Sequence, residues 1–259
     1  MNVAEILPLF TFQFFLVFAR LGTAMFVFPS LSDPAINTRA RLLLGLAISL
    51  ILYPLLSTKL PALPVATGDM LTLLATDMLI GLMMGLGARI MMGAMNLAGE
   101  LIAFMSGLQA ASLFDPTSGA NTAAPTVLLT LAAGLLVLAL NLHHQLILGI
   151  VASYKAFPPG SVLATGDMLT AIVTQIGKLM LLGVQLSAPV MVVGFLTYLM
   201  FGIFNRLIPQ LQVFFLSVPL AIALSLVVMA ASFTLILGLF TTSMQDNLFL
   251  FNTEEPDAW

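Results

Sequence analysis

Few residues in this chain are equipped for chemistry, and their spacing limits what they can do. His143 and His144 are the only two histidines; as helix neighbours they point about 100° apart and do not converge on one metal ion. No H-E-x-x-H motif accompanies them, so the pair reads as the end of an apolar segment at an interface. Cysteine is absent, which removes thiol nucleophiles, iron–sulfur ligation and disulfides. Ser118-Gly119 follows Pro116 and Thr117 instead of completing a G-x-S-x-G elbow. Two Thr-Gly-Asp triplets, at Thr67 and Thr165, lack the preceding glycine of an intramembrane aspartyl protease. Phosphate-binding loops are missing as well. The chain reads as non-enzymatic, with no catalytic residue, no cofactor and no metal.

What remains is charge in costly surroundings. Hydrophobic residues make up 60% of the chain and charged ones 7%, with a mean hydropathy of +1.12; a soluble surface needs roughly a quarter of its residues charged. An integral membrane protein follows. Lipid penalises ionised side chains, so Asp77, Arg89 and Glu100 must face protein or water. At helical spacing Gly85, Arg89, Met92, Gly93, Asn96 and Glu100 share one face. Arg89 and Glu100 stand about 16 Å apart along the axis, too far to neutralise each other. Arg89 with Asp77 across a kink, or with another subunit, are both open.

The elements that must carry these residues are six apolar blocks of an all-α membrane chain: 5–27, 41–56, 70–105, 126–143 with a continuation over 145–156, 168–206 and 211–240. The third block, about 54 Å as one helix, exceeds the roughly 30 Å hydrocarbon core. It must project, kink or fold into a hairpin, with Gly87, Gly93 and Gly99 the places to bend. Pro189 and Pro219 predict kinks in the last two blocks. The N-terminus has no basic region or small-residue cleavage site, so the first helix is expected to stay. Arg39 and Arg41 weakly place the first loop in the cytoplasm. The heptapeptide Ala66–Thr72 recurs at Ala164–Thr170, either as shared helix-start chemistry or as a duplicated unit. The whole chain, 1–259, reads as one membrane-embedded helical domain with an acidic tail over 246–259.

Two further features are local. Between the third and fourth blocks, 106–125 is a polar break: Gly107, Pro116 and Gly119 stop a helix, and Thr117, Ser118 and Asn121 can satisfy free backbone groups. Methionine is dense in the third block, with Met83, Met84, Met91, Met92 and Met95 among the 16 in the chain. Such a group is either core or an adaptable seal.

The order of several segments carries a resemblance. Phe18-Ala19-Arg20 precedes Pro29; Arg39-Ala40-Arg41-Leu42-Leu43-Leu44 leads to Tyr53-Pro54; Ala98-Gly99-Glu100-Leu101-Ile102 leads to Gly107 and Asp115-Pro116. Asn141-Leu142-His143-His144, Phe157-Pro158-Pro159-Gly160, Ser187-Ala188-Pro189 and Asn205-Arg206-Leu207-Ile208-Pro209-Gln210 follow. Together these resemble the FliR family of the flagellar type III protein export gate, which has counterparts in injectisomes.

The resemblance implies a core channel subunit at the flagellar basal body in the bacterial inner membrane. It implies packing with FliP-like and FliQ-like subunits in a hetero-oligomeric helical cone, beside an FlhB-like export-switch protein. Unfolded protein substrates would be in transit, the lipid bilayer would be contacted, and nucleic acid would not. On this resemblance Gly107, Leu113, Phe114, Asp115, Pro116, Thr117, Ser118, Gly119 and Asn121 are expected in a pore plug. Arg20, Arg89, Glu100, Asn205, Arg206, Pro209 and Gln210 are expected at buried intersubunit contacts. The alternative is a secondary transporter of a small solute that uses Asp77, Arg89 and Glu100 as a coupling site.

Overall fold

Backbone N–H and C=O groups in lipid must find partners within the chain, which for single segments means helices. The computed structural model describes residues 3–29, 36–109, 122–161, 165–207 and 213–249, and among them there is no strand. The long α-helices of the described residues are α1 Val3–Val27, α2 Thr38–Leu56, α3 Thr67–Ser106, α4 Ala124–Ala139, α5 Leu142–Ala156, α6 Thr165–Leu207 and α7 Val213–Phe249. Five of the helical segments are long and apolar enough to cross a membrane, and α4 with α5 makes a sixth if that bent pair is one span. The all-α membrane architecture expected from composition is the one observed.

Local chemistry sets the helix ends. Asn37 caps α2, its side chain accepting from the Arg39 N–H at 2.9 Å. Both copies of the repeated heptapeptide open a helix, α3 and α6, with Asp69 in the first turn of α3. Gly107 closes α3 in the left-handed region at φ 77°, its N–H bonded to Phe104 O at 3.2 Å.

Two expectations are corrected. The third block neither breaks nor folds into a hairpin: α3 is continuous over 40 residues. Gly81, Gly85, Gly93 and Gly99 serve close packing, which offsets their conformational cost. The fourth block and its continuation are not one straight helix, since α4 and α5 meet at a 63° bend. Asn141 sits there at φ 56°, a conformation that asparagine tolerates better than most residues.

The chain forms two compact units. The first comprises the chain up to Ile90 together with Val137–Thr174 and the segment from Met244. Its central helix is α1, where Phe12, Leu16, Val17, Leu21, Ala24 and Met25 form a buried stripe at helical spacing. Gln13 on that stripe donates to Pro61 O at 3.0 Å and accepts from the Tyr53 hydroxyl at 3.1 Å, fastening α1 to α2 and the loop after it. Gly81 and Gly85 bring α3 against α1. A methyl on Gly85 would lie 2.6 Å from Ala24 O, and one on Gly81 would collide with Arg20 O and Thr23 Oγ1.

The second unit comprises Met91–Leu136 and Gln175–Ser243. Here α3 packs on α6: a methyl on Gly93 would lie 2.7 Å from Leu179, and one on Gly183 would lie 2.7 Å from Leu97. Both contacts advance by four residues, so the two helices run in the same direction. Gly99 lies against the backbone of Thr126, seating α4 on the other side. Ala94, Met95, Ala98, Ile102 and Ala103 of α3 are buried with Leu129, Leu186, Val190, Ile236 and Phe240.

Gly81→Val should therefore destabilise the detergent-purified chain strongly, by at least the 1–3 kcal/mol usual for overpacking. Gly68→Ala, whose methyl would meet nothing within 4 Å, should stay within about 0.5 kcal/mol of the parent. Thermal unfolding of the two variants side by side checks this, and equal melting points would contradict the packing.

Candidate functional site

The most polar feature of the first unit is built around Arg20, which is fully buried on the inner stripe of α1. Its Nε donates to Asp77 Oδ1 at 2.8 Å, and its Nη2 donates to the same oxygen. Nη1 donates to Ser153 Oγ at 3.1 Å, and Nη2 also donates to the Phe157 carbonyl at 3.0 Å. Ser153 Oγ donates in turn to Ile150 O at 2.6 Å. The guanidinium carbon lies 3.9 Å from the centroid of the Tyr154 ring, a cation–π contact in surroundings from which water is excluded.

Four elements meet on one side chain: α1, α3 through Asp77, α5 through Ser153 and Tyr154, and the loop after α5 through Phe157. The spread of donors suits arginine, whose planar fork reaches several acceptors at once. Asp77 and the Gly81–Gly85 pair recur every four residues on α3, so the small-residue contact with α1 is what delivers the carboxylate to Arg20.

This placement corrects one expectation and closes one of the alternatives left open. Arg20 is not at the chain's surface for another subunit; it is bonded inside its own chain. Asp77 is not the partner of Arg89, because an unbroken α3 separates them by about 18 Å along its axis. The alternative coupling trio loses one of its two carboxylates, since Asp77 is held by Arg20 while Arg89 and Glu100 are exposed. Sequence reasoning missed Ser153 and Tyr154 as partners of a buried charge. The available signal was Asp77 followed by glycines four and eight residues on.

The other expected residues fall into three groups. Arg89, Glu100, Asn205 and Arg206 are exposed on the long helices. Met84, Met91 and Met95 lie in this chain's own interior, whereas Met83 and Met92 are half-buried. Gly107 terminates α3 as described. Leu113, Phe114, Asp115, Pro116, Thr117, Ser118, Gly119, Asn121, Pro209 and Gln210 lie outside the described residues. His143 and His144 stand together just after the bend, ring centroids 4.2 Å apart, and no group of three metal-ligating side chains occurs among the described residues.

Removing one member of the Arg20–Asp77 pair leaves the other buried and unmatched, which typically costs about 3–5 kcal/mol. Arg20→Met and Asp77→Leu should each destabilise by roughly that much, and the double variant should recover a large part of the loss. A double-mutant cycle on thermal stability in detergent measures it. Strict additivity would show that the two charges do not act as a pair.

Comparison with known proteins identifies the kind of chain that carries this arrangement. A family model described as bacterial export proteins, family 1, matches residues 11–247. The flagellar biosynthetic protein FliR of Caulobacter vibrioides is 34% identical over 91% of this chain and 94% of the relative. FliR of Escherichia coli is 31% identical over 85% of this chain and 82% of its own length, and FliR of Bacillus subtilis is 30% identical over 90% and 92%. The family model and the relatives each span most of the sequence: the chain belongs to bacterial export proteins, family 1, the family of the flagellar biosynthetic protein FliR.

Proposed function

We propose that the chain is a non-enzymatic core subunit of the flagellar type III protein export gate in the bacterial inner membrane. In this reading it forms part of the channel through which unfolded flagellar substrates leave the cytoplasm. The observation that carries it is length. Helices α3, α6 and α7 run 40, 43 and 37 residues, or about 60, 65 and 55 Å. Fitting 60 Å into a hydrocarbon core of about 30 Å needs a tilt near 60°, beyond the 0–40° that membrane helices adopt.

Yet these helices are predominantly apolar and expose large side chains along their length, including Leu71, Phe104, Leu181, Val192, Phe195, Leu199, Ile203 and Leu235. Apolar surface that lipid cannot reach has to be covered by protein. FliP-like and FliQ-like subunits would supply that cover, with an FlhB-like switch protein nearby. Arg89, Glu100, Asn205, Arg206, Pro209 and Gln210 would contribute polar contacts between subunits, and Met83 and Met92 would belong to the seal. Arg20 and Asp77 instead stiffen the chain from within.

The chain's action in this reading is gating. Segment 106–125 contains the Gly107 stop and would project into the lumen, where Leu113 and Phe114 would occlude the bore and Asp115–Asn121 would supply a polar plug. Non-helical backbone at that depth is tolerated only inside protein or beside water. Energy would come from the proton-motive force and the cytoplasmic export machinery, with no reaction on this chain.

Two measurements check the proposal. Affinity purification of the tagged chain in mild detergent from flagellated cells should retain FliP-like and FliQ-like proteins in one particle; recovery of the chain alone would contradict it. In the assembled complex, deletion of 115–119 should raise ion conductance across the membrane severalfold. Unchanged conductance in a properly assembled deletion would remove the plug.

A further inference from the structure

Polar side chains on the long helices mostly carry their own partners. Thr130 Oγ1 donates to Thr126 O, Thr197 Oγ1 to Val193 O and Ser232 Oγ to Val228 O, each at 2.7 Å. A hydroxyl can fold back onto the preceding turn in this way because helix carbonyls are acceptors. A carboxylate, itself an acceptor, cannot. Glu100 is the sole charge between Ile90 and Ser106, it is exposed, and among the described residues it has no side-chain partner.

Its setting is also defined. Asn96, Glu100 and Phe104 recur every four residues and form one exposed strip of α3 in the second unit, with Phe104 62% exposed. The strip lies about 60° round the helix from Gly93 and Leu97, the residues that pack against Leu179 and Gly183 of α6. It therefore borders the seam between two helices that run side by side, where a third helix packs in ridges-into-grooves fashion. An apolar face laid over this strip would strand a carboxylate; a lipid tail would do the same. A face with a second acid would be repelled.

Resting on the export-gate reading, we infer that this strip is the docking line for a helix of another polypeptide that sets a lysine or arginine opposite Glu100. On that helix the cation pairs with Glu100, a polar group meets the Asn96 amide, and an apolar pocket receives Phe104 as the anchor. The charge fixes the register of the incoming helix, since sliding it by one turn would leave both ions unmatched.

The test uses the complete export apparatus in native membranes. A photo-crosslinking amino acid in place of Phe104, which leaves Glu100 intact, should capture one specific partner subunit and map to a helix containing a basic residue. Glu100→Lys should lower the recovery of that subunit with the tagged chain by about tenfold or more. Changing the partner's basic residue to glutamate should restore recovery. Crosslinks only to lipid or to a second copy of this chain, no crosslink at all, or full recovery with Glu100→Lys would overturn the inference. A wild-type chain that retains no other export subunit would instead sink the export-gate reading beneath it. If Glu100→Lys fails to accumulate, the crosslinking in the unaltered Glu100 background decides.

Discussion

The constraint on which the rest depends is that a bilayer can satisfy only about half the length of a 60 Å apolar helix. Three helices in this chain share that excess. It explains why so much leucine, valine and phenylalanine stays exposed on a chain that has well-packed interiors of its own. It also explains why polar residues such as Asn96 and Glu100 occur outward on apolar helices, a position that is hard to reconcile with a chain surrounded by lipid alone. Long apolar helices, outward polar residues and membership in a protein export family fit one description: a subunit whose surface is completed by others.

On the proposed reading such a chain needs internal stiffness, since its long helices would have to hold their shape before other subunits cover them. Arg20 supplies it in the first unit. One guanidinium ties α1 to α3, to α5 and to the Phe157 carbonyl just ahead of Pro158-Pro159-Gly160. Buried ion pairs contribute little net stability compared with well-packed apolar substitutes. Their geometric demand is the relevant property here, because a slipped α3 would leave both ions unpaired. The second unit has no comparable pair among its described contacts and uses close contact at Gly93, Gly99, Gly183 and Gly194 instead.

Composition and apolar run length were enough to read the helical class, the excess length of the third block and the helix starts at both Thr-Gly-Asp triplets. These depend on local chemistry or on sums over many residues. What was not legible depended on partners distant in sequence. Gly93 and Gly99 look the same in a kink and in a packing seam, and only the contacting helix tells them apart. A pair of Asp77 with Arg89 stays open in the sequence because both lie in one block, yet the partner of Asp77 is Arg20, 57 positions earlier. Asn141 bends α4 against α5 through a backbone angle that hydrophobic periodicity does not register. The methionines divided in the same way, with Met84, Met91 and Met95 inside their own chain and Met83 and Met92 half-buried.

The most direct test of the central claim exploits the absence of native cysteine. Single cysteines placed along the outward faces of α3 and α6, for example at Phe104, Leu181, Val192, Leu199 and Ile203, can be reacted with a water-soluble maleimide in native membranes. If protein covers the length that the bilayer cannot, sites beyond the lipid will label when the chain is expressed alone and become protected when the other export subunits are present. Identical labelling in the two membranes would contradict the account.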